Sequence, residues 1–188
     1  MIELQAKEKD KYDRMHQIPG YSPGPGISFV SNALRYIKQS DSIIDFGCGT
    51  GDAAQAFIDL GHDVHAVDIS SKGLHHDLGE KYHQSSLHDL PKELPLADWG
   101  FCVDVMEHVP TPWVDIALWQ MSRKVENCFF SISGQKDGWG AKINDVLHLT
   151  VMPGEWWLGK ISEHWHDVRW VNTAGNSYEI VAKGAKRD

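Results

Sequence analysis

Three glycines at alternate positions, Gly47, Gly49 and Gly51, follow the short apolar run Ile43-Ile44-Asp45-Phe46 and precede a stretch of helical spacing from Asp52 to Leu60. A strand that ends in so bare a backbone must turn sharply, because glycine alone enters left-handed conformations at no steric cost. The turn delivers the chain directly into a helix. A strand followed by a helix returns to its sheet through a crossover, so this one unit commits the chain to parallel pairing.

The same alternation runs along most of the sequence. Ile27, Val30, Ala33, Leu34 and Ile37 predict a helix over Ile27 to Lys38, with a strand from Ser42 to Phe46. After the glycine loop and its helix come a strand at Val64 to Val67, a helical stretch from Ser70 to Tyr82 and a weak strand from Gln84 to Leu87. Phe101 to Val105 and Asn127 to Ile132 read as further strands, separated by a helix around Trp113 to Met121. A last helix covers Glu155 to Ile161. The ending departs from the pattern, because Val168 to Val171 and Tyr178 to Ala182 are joined by a short glycine-containing segment that favours a hairpin. The expected fold is α/β and doubly wound, a mostly parallel sheet with one antiparallel strand in an edge hairpin.

Domain organisation is simple. The 188 residues suit one core, here residues 27–188, preceded by a polar arm over 1–26. A net charge of −8 disfavours a broad surface for nucleic-acid phosphates. Cys48, Cys102 and Cys128 are isolated among apolar or glycine neighbours, which suits buried thiols in a reducing compartment. The first residues, MIELQAKEKDKYDRM, hold no apolar segment of signal type, and no run of about 18 apolar residues occurs. A cytoplasmic protein that does not span a membrane is therefore expected.

The glycine loop calls for a ligand. In a dinucleotide site the spacing is G-x-G-x-x-G and a pyrophosphate rests on the following helix N-terminus. Here the third glycine arrives one position early and Asp52 stands in place of the last. A carboxylate there repels a pyrophosphate, which also argues against a nicotinamide dehydrogenase. S-adenosyl-L-methionine carries a cationic sulfonium and an ammonium, so acids near the loop suit it, and Asp45 is placed to meet the ammonium. About twenty residues further on, Val67-Asp68-Ile69 sets an acid at a strand end, where a carboxylate accepts hydrogen bonds from ribose hydroxyls.

Asp45-Phe46-Gly47-Cys48-Gly49-Thr50-Gly51, the acid Asp68 and the stretch Asp104-Val105-Met106-Glu107-His108-Val109 together resemble a class I S-adenosylmethionine-dependent methyltransferase over residues 27–184. The resemblance implies a Rossmann-like sheet of seven strands with the last inserted antiparallel. It implies that Asp45, Gly47, Cys48, Gly49 and Gly51 surround the methionine end, that Asp68 and Ile69 hold the ribose, and that Asp104 borders the cofactor. It also implies that Leu87 and His88 lie near adenine, although the acid often found after the third strand is replaced here by Ser86-Leu87-His88-Asp89. The motifs of enzymes that methylate base amines or cytosine carbon are missing, which points to a small-molecule acceptor.

Methyl transfer is an in-line displacement, so holding the acceptor in place is the protein's main task, worth about 7–11 kcal/mol. A carboxylate or histidine acting as base adds about 10²–10⁴-fold. Glu107, His108 and His148 are the candidates, each after a strand at the ligand-binding edge of the sheet or within an apolar loop. Glu107 reads equally as a helix cap, and His108 as a satisfied ring or as part of the methionine end of the site. Trp156 and Trp157 read equally as walls of the acceptor pocket or as core, and Gly134 to Gly140 as a flexible rim. The segment Gly20 to Gly26 reads either as a lid, with Tyr12, His16 or Tyr21 touching ligand, or as a disordered tail. No metal set is read from the sequence: Glu163-His164-Trp165-His166 lacks a further ligand, and His75-His76 reads as an exposed helix face. The acceptor oxygen or nitrogen belongs to a small molecule on this reading; the alternatives are a sugar, a nucleotide precursor or a protein side chain, or binding of S-adenosylmethionine without turnover.

Overall fold

The computed structural model describes residues 2–21, 26–174 and 177–187. Seven strands form one sheet: β1 (Ile43–Phe46), β2 (Val64–Asp68), β3 (Tyr82–Gln84), β4 (Ala97–Val103), β5 (Val125–Ser133), β6 (Trp165–Ala174) and β7 (Ser177–Ala185). Their order across the sheet is β3-β2-β1-β4-β5-β7-β6. Pairings from β3 through β5 are parallel, whereas β7 runs antiparallel to both β5 and β6. The expected hairpin thus forms the sheet edge, with β7 inserted and β6 outermost.

Among the described residues, five α-helices flank the sheet: α1 (Ile2–Met15), α2 (Gly26–Ala33), α3 (Asp52–Asp59), α4 (Val114–Lys124) and α5 (Gly154–Ser162). Period-two alternation sends successive strand residues to opposite faces. Ile43, Phe101, Phe129 and Val181 join the cluster that buries α2 and α3, while Ile44, Cys102, Phe130 and Ala182 join the one that buries α4 and α5. Burial on both faces explains why these strands read as unbroken apolar runs. All three cysteines are buried free thiols, raised in pKa by desolvation. No helix among the described residues is long and apolar enough to cross a membrane.

Three local expectations need correction. The helix expected over Ser70 to Tyr82 is a series of turns ending in a short 3-10 helix, Gly79–Lys81. Tertiary bonds hold it open: the His75 N–H donates to the Thr50 carbonyl at 2.9 Å, and the His76 ring pairs with Asp52 at 2.7 Å. The helix from Ile27 stops at Ala33, whose carbonyl accepts from both Tyr36 and Ile37 N–H. The third strand lies earlier than expected, because the Ser85 N–H donates to the Asp68 carbonyl at 2.9 Å and residues 86–89 then turn.

Helix α1 is polar in composition, yet Glu8, Lys11, Tyr12 and Met15 form a stripe at helical spacing that faces the body of the protein. Lys11 is only 1% exposed, pairs with Glu8 and donates to the Val146 carbonyl at 3.2 Å. Gln5 donates to Ser86 at 3.0 Å, the Ser70 hydroxyl to Asp13 at 2.5 Å, and Arg14 to the Ile143 carbonyl at 3.3 Å. These bonds lay the helix across the carboxyl ends of the parallel strands.

Candidate active site

The glycine loop is shaped by its neighbours on both sides. Gly47 and Cys48 N–H groups donate to the Val67 carbonyl at 2.7 and 3.0 Å, which draws the loop onto β2. Gly47 has φ of 75°, and a Cβ there would lie 2.3 Å from a Val105 methyl. Only glycine fits both the conformation and the space. Asp68 ends β2 with one carboxylate oxygen accepting from Gly49 N–H at 2.9 Å and the other from Ser70 N–H at 2.9 Å. Burial pushes its pKa up, and those backbone donors oppose the shift.

Between this loop and α1 lies a cavity of about 120 Å³. Gly47, Gly49, Asp68 and Ile69 line it from the glycine loop and the end of β2, and Leu87, His88 and Trp113 from the segments after β3 and β4. His88 and Trp113 rings sit 4.2 Å apart, tilted by 37°. Asp104 and His108 also line it, and Tyr12 does so from α1. Seven of the residues expected around the cofactor, Gly47, Gly49, Asp68, Ile69, Leu87, His88 and Asp104, therefore converge on one space. Glu8, Asp68 and Asp104 are the acidic residues in its lining, and no lysine or arginine lines it among the described residues.

Asp45, Cys48 and Gly51 lie elsewhere. Asp45 and Cys48 line a smaller recess behind Gly47, bounded by Thr50 and Phe101, and Gly51 sets the start of α3 with φ of 80°. Asp45 is 3% exposed with one carboxylate oxygen lacking a hydrogen-bond partner. Burial, and then the charge of Asp68, push its pKa up to about 8.

Of the three candidate bases, only His108 lines the cavity. Its Nδ1 pairs with the Tyr12 hydroxyl at 2.9 Å, and burial lowers its pKa to about 4, leaving a neutral imidazole at pH 7. Glu107 is fully buried: Oε1 accepts from Ser133 N–H at 2.7 Å, Oε2 has no donor, and the carboxyl group lies within hydrogen-bond reach of Asp104. Desolvation and the nearby charge of Asp104 push the Glu107 pKa up. His148 stands edge-on to His108 with ring centroids 4.7 Å apart, and its Nδ1 donates to the Gln135 carbonyl at 2.5 Å.

The loop carrying His148 is gripped from two directions. The Asp137 carboxylate accepts from Leu147 and His148 N–H groups at 3.0 and 3.2 Å, and the Glu107 carbonyl from Leu149 and Thr150 N–H groups at 2.8 and 2.9 Å. Gly134 to Gly140 is thus a brace for His148 and does not line the cavity. Trp157 is fully buried, and Trp156 packs edge-on against it, so this pair fastens α5 to the sheet and does not wall the acceptor space. Beside Glu163 and His164, Lys160 lies 2.9 Å from Asp115 and 3.3 Å from Glu163, so a cation is already in place. His76 is tied to Asp52 within the turns after β2 and not on a helix face.

Tyr12, His16 and Tyr21, named above as lid contacts, do line the cavity, whereas residues 22–25 of the glycine-proline segment lie outside the described residues. Trp113 was missed by sequence reasoning. Its position three residues after Pro110, in the connection leaving β4, was the available signal.

A mostly parallel sheet with a ligand cavity at the strand order reversal between β1 and β4, an acid at the end of β2 and a glycine loop into α3 define a nucleoside-cofactor enzyme of the doubly wound class. The chain belongs to the methyltransferase domain family, whose profile matches residues 20–166, and it is an S-adenosylmethionine-dependent methyltransferase. No protein of curated function matches the sequence. Among solved structures it is similar to an S-adenosylmethionine-dependent methyltransferase from Archaeoglobus fulgidus, with 15% identity, a TM-score of 0.67 and coverage of 84% of this chain and 92% of that one. It is also similar to magnesium protoporphyrin IX methyltransferase from Synechocystis PCC 6803, crystallised with S-adenosylhomocysteine, with 14% identity, a TM-score of 0.61 and coverage of 94% and 93%.

Proposed function

We propose that the enzyme methylates an oxygen or nitrogen atom of a small-molecule acceptor that enters the cavity beneath α1. The observation that carries this reading is the cavity itself, where the glycine loop and Asp68 meet Asp104 and His108 under a roof pinned by α1. A lining with three acidic residues and no lysine or arginine among the described residues fits a cationic nucleoside ligand better than a pyrophosphate. S-adenosylmethionine, when bound, supplies a methyl group on a positively charged sulfur that leaves readily.

In this reading Asp68 accepts from the ribose hydroxyls, and Leu87, His88 and Trp113 take the adenine between apolar and aromatic surfaces. Gly47 and Gly49 give the methionine end a backbone without side chains, with Asp45 and Cys48 behind them and Gly51 shaping the turn. Asp104 and His108 present the polar groups that meet the acceptor, and Glu107 and His148 act on it through His108. Helix α1 serves as a lid that covers the space and limits it to compact acceptors. The test is transfer of labelled methyl groups from S-adenosylmethionine to a panel of small hydroxyl and amine compounds, with RNA, DNA and a protein mixture as parallel arms. Label in a small molecule is the expected result. Label confined to a polymer overturns the reading.

A further inference from the structure

Glu107 leaves one question open: why a carboxyl group is fully buried with Oε2 unpartnered, beside a second acid and two histidines. Asp104, Glu107, His108 and His148 each offer one ligand atom, and these four atoms all lie within 4.8 Å of one another. The sequence separates His148 from the other three by forty residues or so, and the fold closes that gap through the Glu107 carbonyl bonds to residues 149 and 150. From this cluster we infer a divalent-cation site on the acceptor side of the cavity, formed by Asp104, Glu107, His108 and His148. The inference rests on the methyl-transfer reading above and narrows its acceptor to compounds that offer an oxygen ligand.

Several independent features point the same way. The His148 Nδ1–H is committed to the Gln135 carbonyl, which fixes the tautomer and leaves Nε2 with a free lone pair. His108 is held likewise through Nδ1, with the Tyr12 oxygen as the partner that a donating Nδ1–H requires when Nε2 binds a cation. Ring nitrogens tethered on their far side are the arrangement that orients histidine ligands toward a metal ion. Ser133 N–H fixes one oxygen of Glu107, the other has no donor, and the carboxyl group lies against that of Asp104 within the cluster. Asp104 holds a left-handed backbone conformation, φ 59°, that costs energy for a residue with a side chain, and it lines the cavity.

Dimensions and chemistry agree. Ligands about 2.1 Å from a six-coordinate ion lie about 3 Å apart when adjacent and about 4 Å when opposite. Atoms within 4.8 Å of one another therefore reach that spacing by shifts of at most about 0.9 Å each, within the range of side-chain rotation. Two imidazoles with two carboxylates suit Mn²⁺, Fe²⁺, Co²⁺ or Zn²⁺ better than the all-oxygen preference of Mg²⁺ and Ca²⁺. Four protein ligands leave two positions of a six-coordinate ion open. Because Asp104 and His108 line the cavity, those positions face the space assigned to the acceptor, where a hydroxyl oxygen completes the coordination. A cation there also relieves the crowding of two acids in a dry setting. The four residues are then one ligand set and not separate bases.

The test is a titration of the full chain with Mn²⁺ alone, read by the loss of the free-ion electron paramagnetic resonance signal, repeated with Co²⁺ and its visible absorption. Wild type is expected to bind one ion per chain, and His148→Ala and Glu107→Gln to weaken binding by tenfold or more. Tyr12→Phe removes only the hydroxyl behind His108 and is expected to weaken binding by about tenfold, as outer partners of metal ligands do. Calorimetry with S-adenosylhomocysteine on the same samples confirms that each variant is folded and reads the cofactor site separately. Absence of Mn²⁺ and Co²⁺ binding in wild type that binds S-adenosylhomocysteine overturns the cation site and leaves methyl transfer standing. Unchanged metal affinity in both His148→Ala and Tyr12→Phe overturns it as well. Metal binding without cofactor binding would instead count against the methyl-transfer reading.

Discussion

Replacing Asp68 by Asn tests how the cofactor site is built, because the substitution keeps the shape and changes only the hydrogen-bond chemistry. In the native protein each carboxylate oxygen takes one backbone N–H, from Gly49 and from Ser70, at 2.9 Å. An asparagine supplies one acceptor and one NH₂ group, so one of the two backbone donors then faces another donor. Loss of one hydrogen bond to a charged group costs about 1.5–3 kcal/mol of stability. Asp68 is partly exposed to the cavity, so water softens the loss and the lower part of that range is expected. With the ribose placed on Asp68 as proposed, binding is expected to weaken for a second reason, since the lone pairs offered to its hydroxyls lose their charge. That loss is worth about 1–3 kcal/mol, or about fivefold to about 150-fold in Kd. Calorimetric titration of S-adenosylhomocysteine gives the affinity, and urea unfolding the stability. A Kd for Asp68→Asn within twofold of wild type would refute the placement of the ribose on this residue.

Gly47→Ala combines a left-handed φ of 75° with a Cβ 2.3 and 2.7 Å from the two Val105 methyls. The conformation costs about 1–2 kcal/mol and the overlap about 1–3 kcal/mol, and adding Val105→Ala is expected to restore only the second part, as measured by urea unfolding. Trp113→Ala removes the ring that packs on His88, and is expected to weaken S-adenosylhomocysteine binding by about fivefold, near 1 kcal/mol for an aromatic pair, with the fold intact by circular dichroism. Asp45 supplies a pH test. Its folded pKa, about 8, exceeds the ordinary 3.8, so its contribution to stability is full below the unfolded value and is lost as pH rises through about 8. Asn cannot ionise, and the urea midpoint of Asp45→Asn is therefore expected to exceed that of wild type at pH 9 and to lose that advantage near pH 4.

Much of the fold is local in origin and was legible for that reason. The glycine loop, the apolar strands buried on both faces and the hairpin near the end each carry their own signal in a few adjacent residues. The stretch from Ser70 to Tyr82 was misread because its helical spacing is overruled by bonds to Thr50 and Asp52, which no periodicity in the segment itself records. Trp156 and Trp157 look alike in sequence to a pocket wall, yet packing against the sheet buries the second completely. The stripe on α1 was hidden because two of its members, Glu8 and Lys11, are charged and become buried only by pairing with each other and with the backbone of residue 146.

The sequence by itself determined the parallel α/β architecture, the strand-to-helix glycine turn and the acid at the end of β2, since each depends on backbone sterics or on short-range spacing. Which polar groups share one space was decided by tertiary structure alone. Asp104 stood as a cofactor neighbour and Glu107, His108 and His148 as separate bases, and only the bonds from Glu107 and Asp137 to the 147–150 loop bring them within reach of one ion. Long-range placement of this kind is set by where loops meet at the sheet edge, and pairs of residues forty positions apart leave no periodic trace of their contact.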